Sequence, residues 1–181
     1  MATKFIKIIQ SVRTLRHQLF SGAFLLAAVF AISTSFLISS PAQAAIDDYV
    51  RRYLKVTEPI PLKVDELGQT KKFTPEDLRQ GKELFKENCI NCHVGGKNIP
   101  FPPVSLSLNA LGAAAPARDN INNLVQFMRQ PMTYDGSEET FWCRQVTERW
   151  MPQQQVEQLA AFILRAAEKA PGWGTANDRR R

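Results

Sequence analysis

The sequence predicts a mainly α-helical domain with three main helices, and three observations support that prediction. Three segments space their apolar residues at helical intervals, and residues that start or stop helices flank them. The chain lacks the alternation of strand and helix patterns that is typical of a parallel sheet. Of its 181 residues, 44% are hydrophobic and 22% are charged, which is the balance of a globular domain and excludes a disordered chain.

The first 44 residues have the features of an export signal. A basic opening is followed by an apolar stretch from about Leu19 to Ile38 and then by Ala42-Gln43-Ala44. Small residues at 42 and 44 suit a signal peptidase, so we expect cleavage after Ala44 and a mature chain in an oxidising, non-cytoplasmic compartment. The alternative is a permanent transmembrane anchor, because the apolar stretch is nearly long enough to cross a bilayer.

The charge of the chain is concentrated in this leader. The formal net charge is +6, but residues 1–44 contain four basic residues and no acidic ones. The remaining chain is close to neutral, which removes the electrostatic basis for binding nucleic acid.

Residues 45–73 are predicted to form an extended arm or a hairpin rather than a helix. Pro59 and Pro61 separate the apolar residues of this segment. Glu66-Leu67-Gly68-Gln69 is the predicted turn.

The first main helix is predicted to begin after Thr74. Thr74 suits the N-cap, Pro75 suits the first helical position, and two acidic residues follow. We expect this helix to run to about Asn88, with its buried side formed by Leu78, Gly81, Leu84 and Phe85.

The rest of the chain is predicted to contain a long loop and two further helices. The loop covers residues 100–116 and packs through Leu106, Leu108 and Leu111. The helices cover about Asp119–Arg129 and Gln153–Lys169. We expect a core domain over residues 74–170 and a flexible tail over residues 171–181.

Cys89-Ile90-Asn91-Cys92-His93 is the C-x-x-C-H pattern that attaches a c-type haem. Two thiols at this spacing reach the two vinyl groups of one porphyrin, and the adjacent His93 binds the iron. A thioredoxin-type disulfide would require a βαβ context, and a zinc site would require further ligands. The motif therefore predicts one covalent haem c per chain, held by Cys89 and Cys92, in a class I cytochrome c fold with three main helices around the haem.

Several segments of the chain closely resemble the cytochrome c-550 family, whose members are extrinsic cytochromes of cyanobacterial photosystem II. The resemblance extends from about Leu54 to Trp173. It rests on Cys92-His93-Val94-Gly95-Gly96, Arg118-Asp119-Asn120-Ile121, Leu124-Val125 and Pro131-Met132-Thr133-Tyr134-Asp135-Gly136. It implies a low-potential haem protein of the thylakoid lumen that contacts the membrane peripherally. The implied partner is photosystem II or another lumenal redox protein.

The chain departs from this family at the second axial ligand of the iron, which is a histidine in cytochrome c-550. The second histidine of this chain, His17, lies in the predicted leader. Cys143 is the first candidate for the replacement, because ferric iron favours a coordinated thiolate. Met151 is the second candidate, and an iron without a sixth ligand is the third. We expect Trp142 and Trp150, which flank these ligands, to cover the haem edge.

Three functions are compatible with these features. The first is electron transfer without enzymatic activity, because the His93 imidazole is committed to the iron. The second is a haem-based redox or gas sensor in which the bond between Cys143 and the iron breaks. The third is a structural role as an extrinsic subunit that moves no electrons.

Overall fold

The computed structural model describes residues 46–98 and 104–175, and it confirms a mainly helical architecture. The main helices are α2 (Pro75–Asn88), α4 (Ile121–Arg129) and α5 (Gln153–Lys169). Two α-helices of five residues each, α1 (Asp48–Arg52) and α3 (Leu108–Gly112), and a 3-10 helix (Val94–Gly96) are the other helices of the described residues. The predicted leader, residues 1–44, lies outside the described residues. None of the described helices is long and apolar enough to cross a membrane.

The segment between α1 and α2 is an antiparallel hairpin, as predicted. Strands β1 (Ile60–Lys63) and β2 (Thr70–Phe73) pair so that Ile60 faces Phe73. Gly68 adopts a positive φ of 83° in the turn, at the predicted place. The preceding residues differ from the prediction, because α1 is helical rather than extended. Asp47 caps α1 by accepting a hydrogen bond from the Val50 N–H.

Helix α2 begins in the predicted way. The Thr74 hydroxyl accepts a hydrogen bond from the Asp77 N–H at 3.1 Å, and the Asp77 carboxylate accepts one from the Thr74 N–H at 2.8 Å. This reciprocal pair satisfies two backbone donors at the end of the helix. Pro75 occupies the first turn, where its missing N–H has no cost.

Helices α2 and α5 cross through a glycine. A Cβ atom on Gly81 would overlap the backbone carbonyl of Gln158 on α5, and it would lie 2.8 Å from the Phe162 Cβ. The close approach places the Phe85 ring 5.4 Å from the Phe162 ring. Gly81 and Phe85 of α2 therefore both pack against Phe162 of α5.

The core surrounds this crossing and includes the segment before it. Val50, Leu54 and Phe73 are buried together with Leu78 of α2, so residues 46–73 are part of the domain rather than a separate arm.

Residues 171–175 also differ from the prediction of a flexible tail. Trp173 is buried against Phe85, and its indole N–H donates to the Leu106 carbonyl at 2.9 Å. Residues 176–181 lie outside the described part.

The loop before α4 contributes fewer packing groups than predicted. Leu111 is buried and Leu106 packs against the core, but Leu108 is 42% exposed. Ser107 caps α3 by accepting from the Ala110 N–H, and this short helix directs Leu111 inward and Leu108 toward solvent. Helix α4 begins two residues later than predicted, because the Asn120 side chain is its N-cap.

Candidate functional site

The Cys89–His93 motif forms the turn that follows α2. Cys89 is the C-cap of the helix, and its N–H donates to the Phe85 carbonyl at 2.9 Å, as does the Ile90 N–H at 3.0 Å. The N–H groups of Cys92 and His93 both donate to the Cys89 carbonyl. This turn places both thiols and the imidazole on the wall of one cavity.

The His93 ring is prepared for binding a metal through one nitrogen. Its Nδ1 lies 3.2 Å from the Lys97 carbonyl oxygen, which can only accept a hydrogen bond. Nδ1 therefore carries the proton, and Nε2 keeps a free lone pair. Burial lowers the pKa of His93 below its usual value, although the bond to Lys97 opposes that shift. Burial thus favours the neutral imidazole that a metal requires.

The cavity beside the motif is large and mostly apolar. Its empty space, including the part open to solvent, is about 770 Å³. Its apolar walls come from α2, from the loop before α3, and from α4 and α5. The residues are Phe85, Leu106, Leu124, Phe127, Met128, Leu159 and Ile163. A second cavity of about 490 Å³ shares the walls formed by His93, Leu106, Leu124 and Phe127. His93 therefore stands between two adjoining spaces.

Both candidates for the second axial ligand reach the larger cavity. Cys143 and Met151 line it together with Cys89, Cys92 and His93. Met151 is 1% exposed and belongs to the hydrophobic core. Cys143 is less buried, and its Sγ lies 4.0 Å from the Arg144 carbonyl oxygen, a long contact for a thiol donor.

The cysteines lie close enough to influence one another electrostatically. Burial raises the pKa of the Cys89 thiol to about 12, and the Cys143 and Cys92 sulfurs add to that rise. Burial also raises the pKa of Cys143, and the positive charge of Arg118 partly opposes the change. Without a metal, both thiols are therefore held in their neutral form.

Arg129 holds the segment that carries Cys143 and Met151. Its Nη1 donates to the Val146 carbonyl at 2.9 Å and to the Met151 carbonyl at 2.8 Å. The Val146 N–H also donates to the Met128 carbonyl, so the segment is bonded to the end of α4 from both sides. This segment, residues 143–151, contains no helix or strand and depends on these bonds for its position.

The two tryptophans expected to cover the cofactor line the cavity at its mouth. Trp142 is 71% exposed and stacks on the exposed Phe141 ring at 5.9 Å. Trp150 lies under the Arg144 guanidinium, at 4.2 Å from its ring centroid. Both indoles are therefore placed at the rim.

Sequence reasoning did not assign roles to Arg118 and Arg129. Both arginines donate hydrogen bonds to carbonyl groups distant in sequence. For Arg118, its place in the family resemblance could have indicated a role. For Arg129 the sequence gave no such indication, because a basic residue in the last turn of a helix is common.

The arrangement fits a haem group. The cavity is mostly apolar, as a porphyrin ring requires, and both thiols and a neutral imidazole with a free nitrogen line it. The sulfur-containing side chains of Cys143 and Met151 line the same space.

Comparison with known proteins agrees with this arrangement. The family model described as "Cytochrome c-550 domain" matches residues 48–180. A "Cytochrome c-550-like protein" of Trichodesmium erythraeum is 53% identical over 86% of this chain and 94% of its own length. The "Photosystem II extrinsic protein V" of Gloeobacter violaceus is 53% identical over 75% of this chain and 73% of its own.

A solved structure shows the same fold. The crystal structure of the PsbV2 cytochrome from Thermosynechococcus elongatus is 57% identical and has a TM-score of 0.71. The match covers 72% of this chain and 100% of that one. A cytochrome fold implies haem c as the cofactor. The described fold, the motif at the end of α2 and these similarities together establish that the chain belongs to the cytochrome c-550 family.

Proposed function

We propose that this protein is a monohaem c-type cytochrome that transfers electrons and performs no enzymatic reaction. The observation that carries the proposal is the single cavity lined by Cys89, Cys92, His93 and Cys143. Cys89 and Cys92 would hold one haem by two thioether bonds, and His93 Nε2 would bind the iron. When bound, the haem supplies a one-electron Fe(III)/Fe(II) couple.

Cys143 is the proposed second axial ligand. It reaches the cavity from a segment without regular structure, and its thiol lacks a short hydrogen bond among the described residues. Met151, in contrast, is packed into the core beside α5, where its side chain already makes apolar contacts. An anionic sulfur also competes better than a neutral thioether for ferric iron.

Thiolate ligation supports a low reduction potential. A thiolate donates negative charge to the iron and stabilises Fe(III), whereas a methionine ligand raises the potential. The choice between Cys143 and Met151 therefore determines which redox partners the protein can serve.

The proposed location is the thylakoid lumen, after cleavage behind Ala44, with peripheral contact to the membrane. The Gloeobacter relative is named as an extrinsic protein of photosystem II, which supports photosystem II as the partner. Another lumenal redox protein is the alternative partner.

The test is the electron paramagnetic resonance spectrum of the purified ferric holoprotein. We expect a low-spin signal with the narrow g-spread of thiolate ligation. This signal should disappear in Cys143→Ser and persist in Met151→Leu, the matched control. A broad signal of the His/Met type, lost in Met151→Leu, would instead assign the ligand to Met151. Absence of covalent haem would contradict the whole proposal.

A second function, a haem-based sensor, is favoured by the position of Cys143 in a segment without helix or strand. A protonated thiol is a weak ligand for Fe(II), so reduction would release the segment. Binding of carbon monoxide to the reduced protein would support the sensor. An unchanged spectrum under carbon monoxide would exclude it.

A further inference from the structure

Arg118 is a buried cation beside the proposed haem site. The residue is 8% exposed, and its guanidinium lies 3.8 Å from the Phe127 ring centroid. Its Nη2 donates to the carbonyl oxygens of Thr133 at 2.7 Å and Met132 at 3.3 Å. These bonds fix the guanidinium in place, but neutral carbonyl groups do not balance its charge.

Within the described ranges no carboxylate pairs with Arg118. The adjacent Asp119 pairs with Lys63 at 3.1 Å instead. Asp135 accepts hydrogen bonds from the hydroxyls of Thr133 and Ser137. A buried charge is costly unless a group of opposite charge is close, so this position favours an anion, which no carboxylate of the described residues provides.

The residues that line the two cavities indicate which anion this is. Cys89 and Cys92 line the larger cavity and would hold the vinyl edge of a porphyrin there. Arg118 lines the smaller cavity, which Cys89 and Cys92 do not reach and which has Ser105 and Tyr134 on its walls. The edge of haem opposite the vinyl groups carries two propionate carboxylates.

We propose that Arg118 binds a haem propionate and balances its negative charge. This inference rests on the proposed haem site and adds a binding residue for the acidic edge of the cofactor. A guanidinium suits this role because its planar donors match a carboxylate, and because it stays charged when buried.

The Cys143 thiolate is the competing anion, since Arg118 also affects the Cys143 sulfur electrostatically. Arg118 lines the smaller cavity and not the larger one that Cys143 reaches. The position of the guanidinium therefore favours the propionate.

The test compares Arg118→Gln, Arg118→Lys and Arg149→Gln as ferric holoproteins. Arg149 is an exposed cation, so its variant loses the same charge without touching either cavity. In Arg118→Gln we expect a shifted propionate band in the resonance Raman spectrum. We also expect about a tenfold shift of the redox equilibrium toward Fe(III), or about 59 mV. Arg118→Lys should show a shifted propionate band but a smaller change in potential, and Arg149→Gln should match the native protein.

Two results would overturn the proposal. One is an unchanged propionate band and potential in Arg118→Gln. The other is an effect of Arg118→Gln on the potential that vanishes in a Cys143→Ser background, which would make the thiolate the partner. If Arg118→Gln does not fold, the propionate band of Arg118→Lys is the test: a shifted band supports the proposal and an unchanged band overturns it. The pyridine haemochrome spectrum separately reports covalent haem, so failure of the proposed haem site is recognised independently.

Discussion

Gly81 shows how one residue sets the distance between two helices. A Cβ atom there would overlap the Gln158 backbone carbonyl on α5, which cannot move without moving the helix. We therefore expect Gly81→Ala to lower the free energy of unfolding by about 1–3 kcal/mol, the usual cost of overpacking. Chemical denaturation of the holoprotein measures it.

Gly112 provides the matched control for this substitution. It is the last residue of α3, and a Cβ atom there would meet no heavy atom within 4 Å. Gly112→Ala should leave stability unchanged or raise it by up to about 1 kcal/mol, since alanine restricts the unfolded chain. Equal effects of the two variants would contradict the role assigned to Gly81.

Asp77 links the start of α2 to pH. Burial alone would raise the pKa of its carboxyl, but hydrogen bonds from Thr74 and Gln158 outweigh burial and leave the pKa below the ordinary value of 3.8. A depressed pKa stabilises the folded state above about pH 3.8, and this contribution is lost as the pH falls through the folded value. Asp77→Asn should lower the free energy of unfolding by about 1 kcal/mol at pH 7. This difference in stability from the native protein should shrink below pH 3.8.

Urea denaturation at pH 7 and at pH 3 measures this effect. Glu58→Gln is the control, because Glu58 is exposed and lies outside the helices and strands. A constant difference between native protein and Asp77→Asn at both pH values would show that the charge of Asp77 has no role.

The segment that carries the proposed distal ligand is positioned mainly by Arg129. Arg129→Gln removes its two bonds to Val146 and Met151. This should lower the free energy of unfolding by about 1.5–3 kcal/mol, as for other hydrogen bonds to a charged group. We also expect a high-spin ferric component, because Cys143 would reach the iron in a smaller fraction of molecules. Hydrogen exchange over residues 143–151 and the paramagnetic resonance spectrum measure both effects. Arg149→Gln is the control, and an unchanged spectrum in Arg129→Gln would exclude this positioning role.

The three long helices could be predicted from sequence because each has a repeated apolar face and local signals at its ends. Thr74 and Pro75, for example, mark the start of α2, with Thr74 as the N-cap and Pro75 as the first helical residue. The helix α1 was missed because five residues carry too short a pattern, although Asp47 is a good N-cap. Trp173 was assigned to a flexible tail because its burial depends on Phe85, which is distant in the chain.

The candidate site divides in the same way. Cys89, Cys92 and His93 are adjacent in sequence, and their spacing alone indicates the chemistry. The contributions of Arg118 and Arg129 depend on carbonyl groups that only the fold brings near them. Local motifs therefore predict the attachment of a cofactor, whereas the proposed roles of Arg118 and Arg129 could be inferred only from tertiary structure.

For the whole molecule, the position of the cavity predicts which part depends on the cofactor. The crossing of α2 and α5 packs through protein contacts at Gly81 and Phe162. Helix α4, in contrast, lines the cavity with Leu124, Phe127 and Met128. Without haem these side chains lose a packing partner, so α4 and residues 143–151 should open more readily than the crossing.

The variant Cys89→Ser/Cys92→Ser tests this dependence, because it removes both covalent attachments. We expect no haem on a haem-stained denaturing gel and a lower melting temperature. Hydrogen exchange should be faster in α4 and residues 143–151, while the α2–α5 crossing keeps more of its protection. Cys143→Ser is the control, since it changes a ligand but keeps the covalent haem and should preserve protection in α4. Uniform loss of protection along the chain would show instead that the fold depends on haem as one cooperative unit.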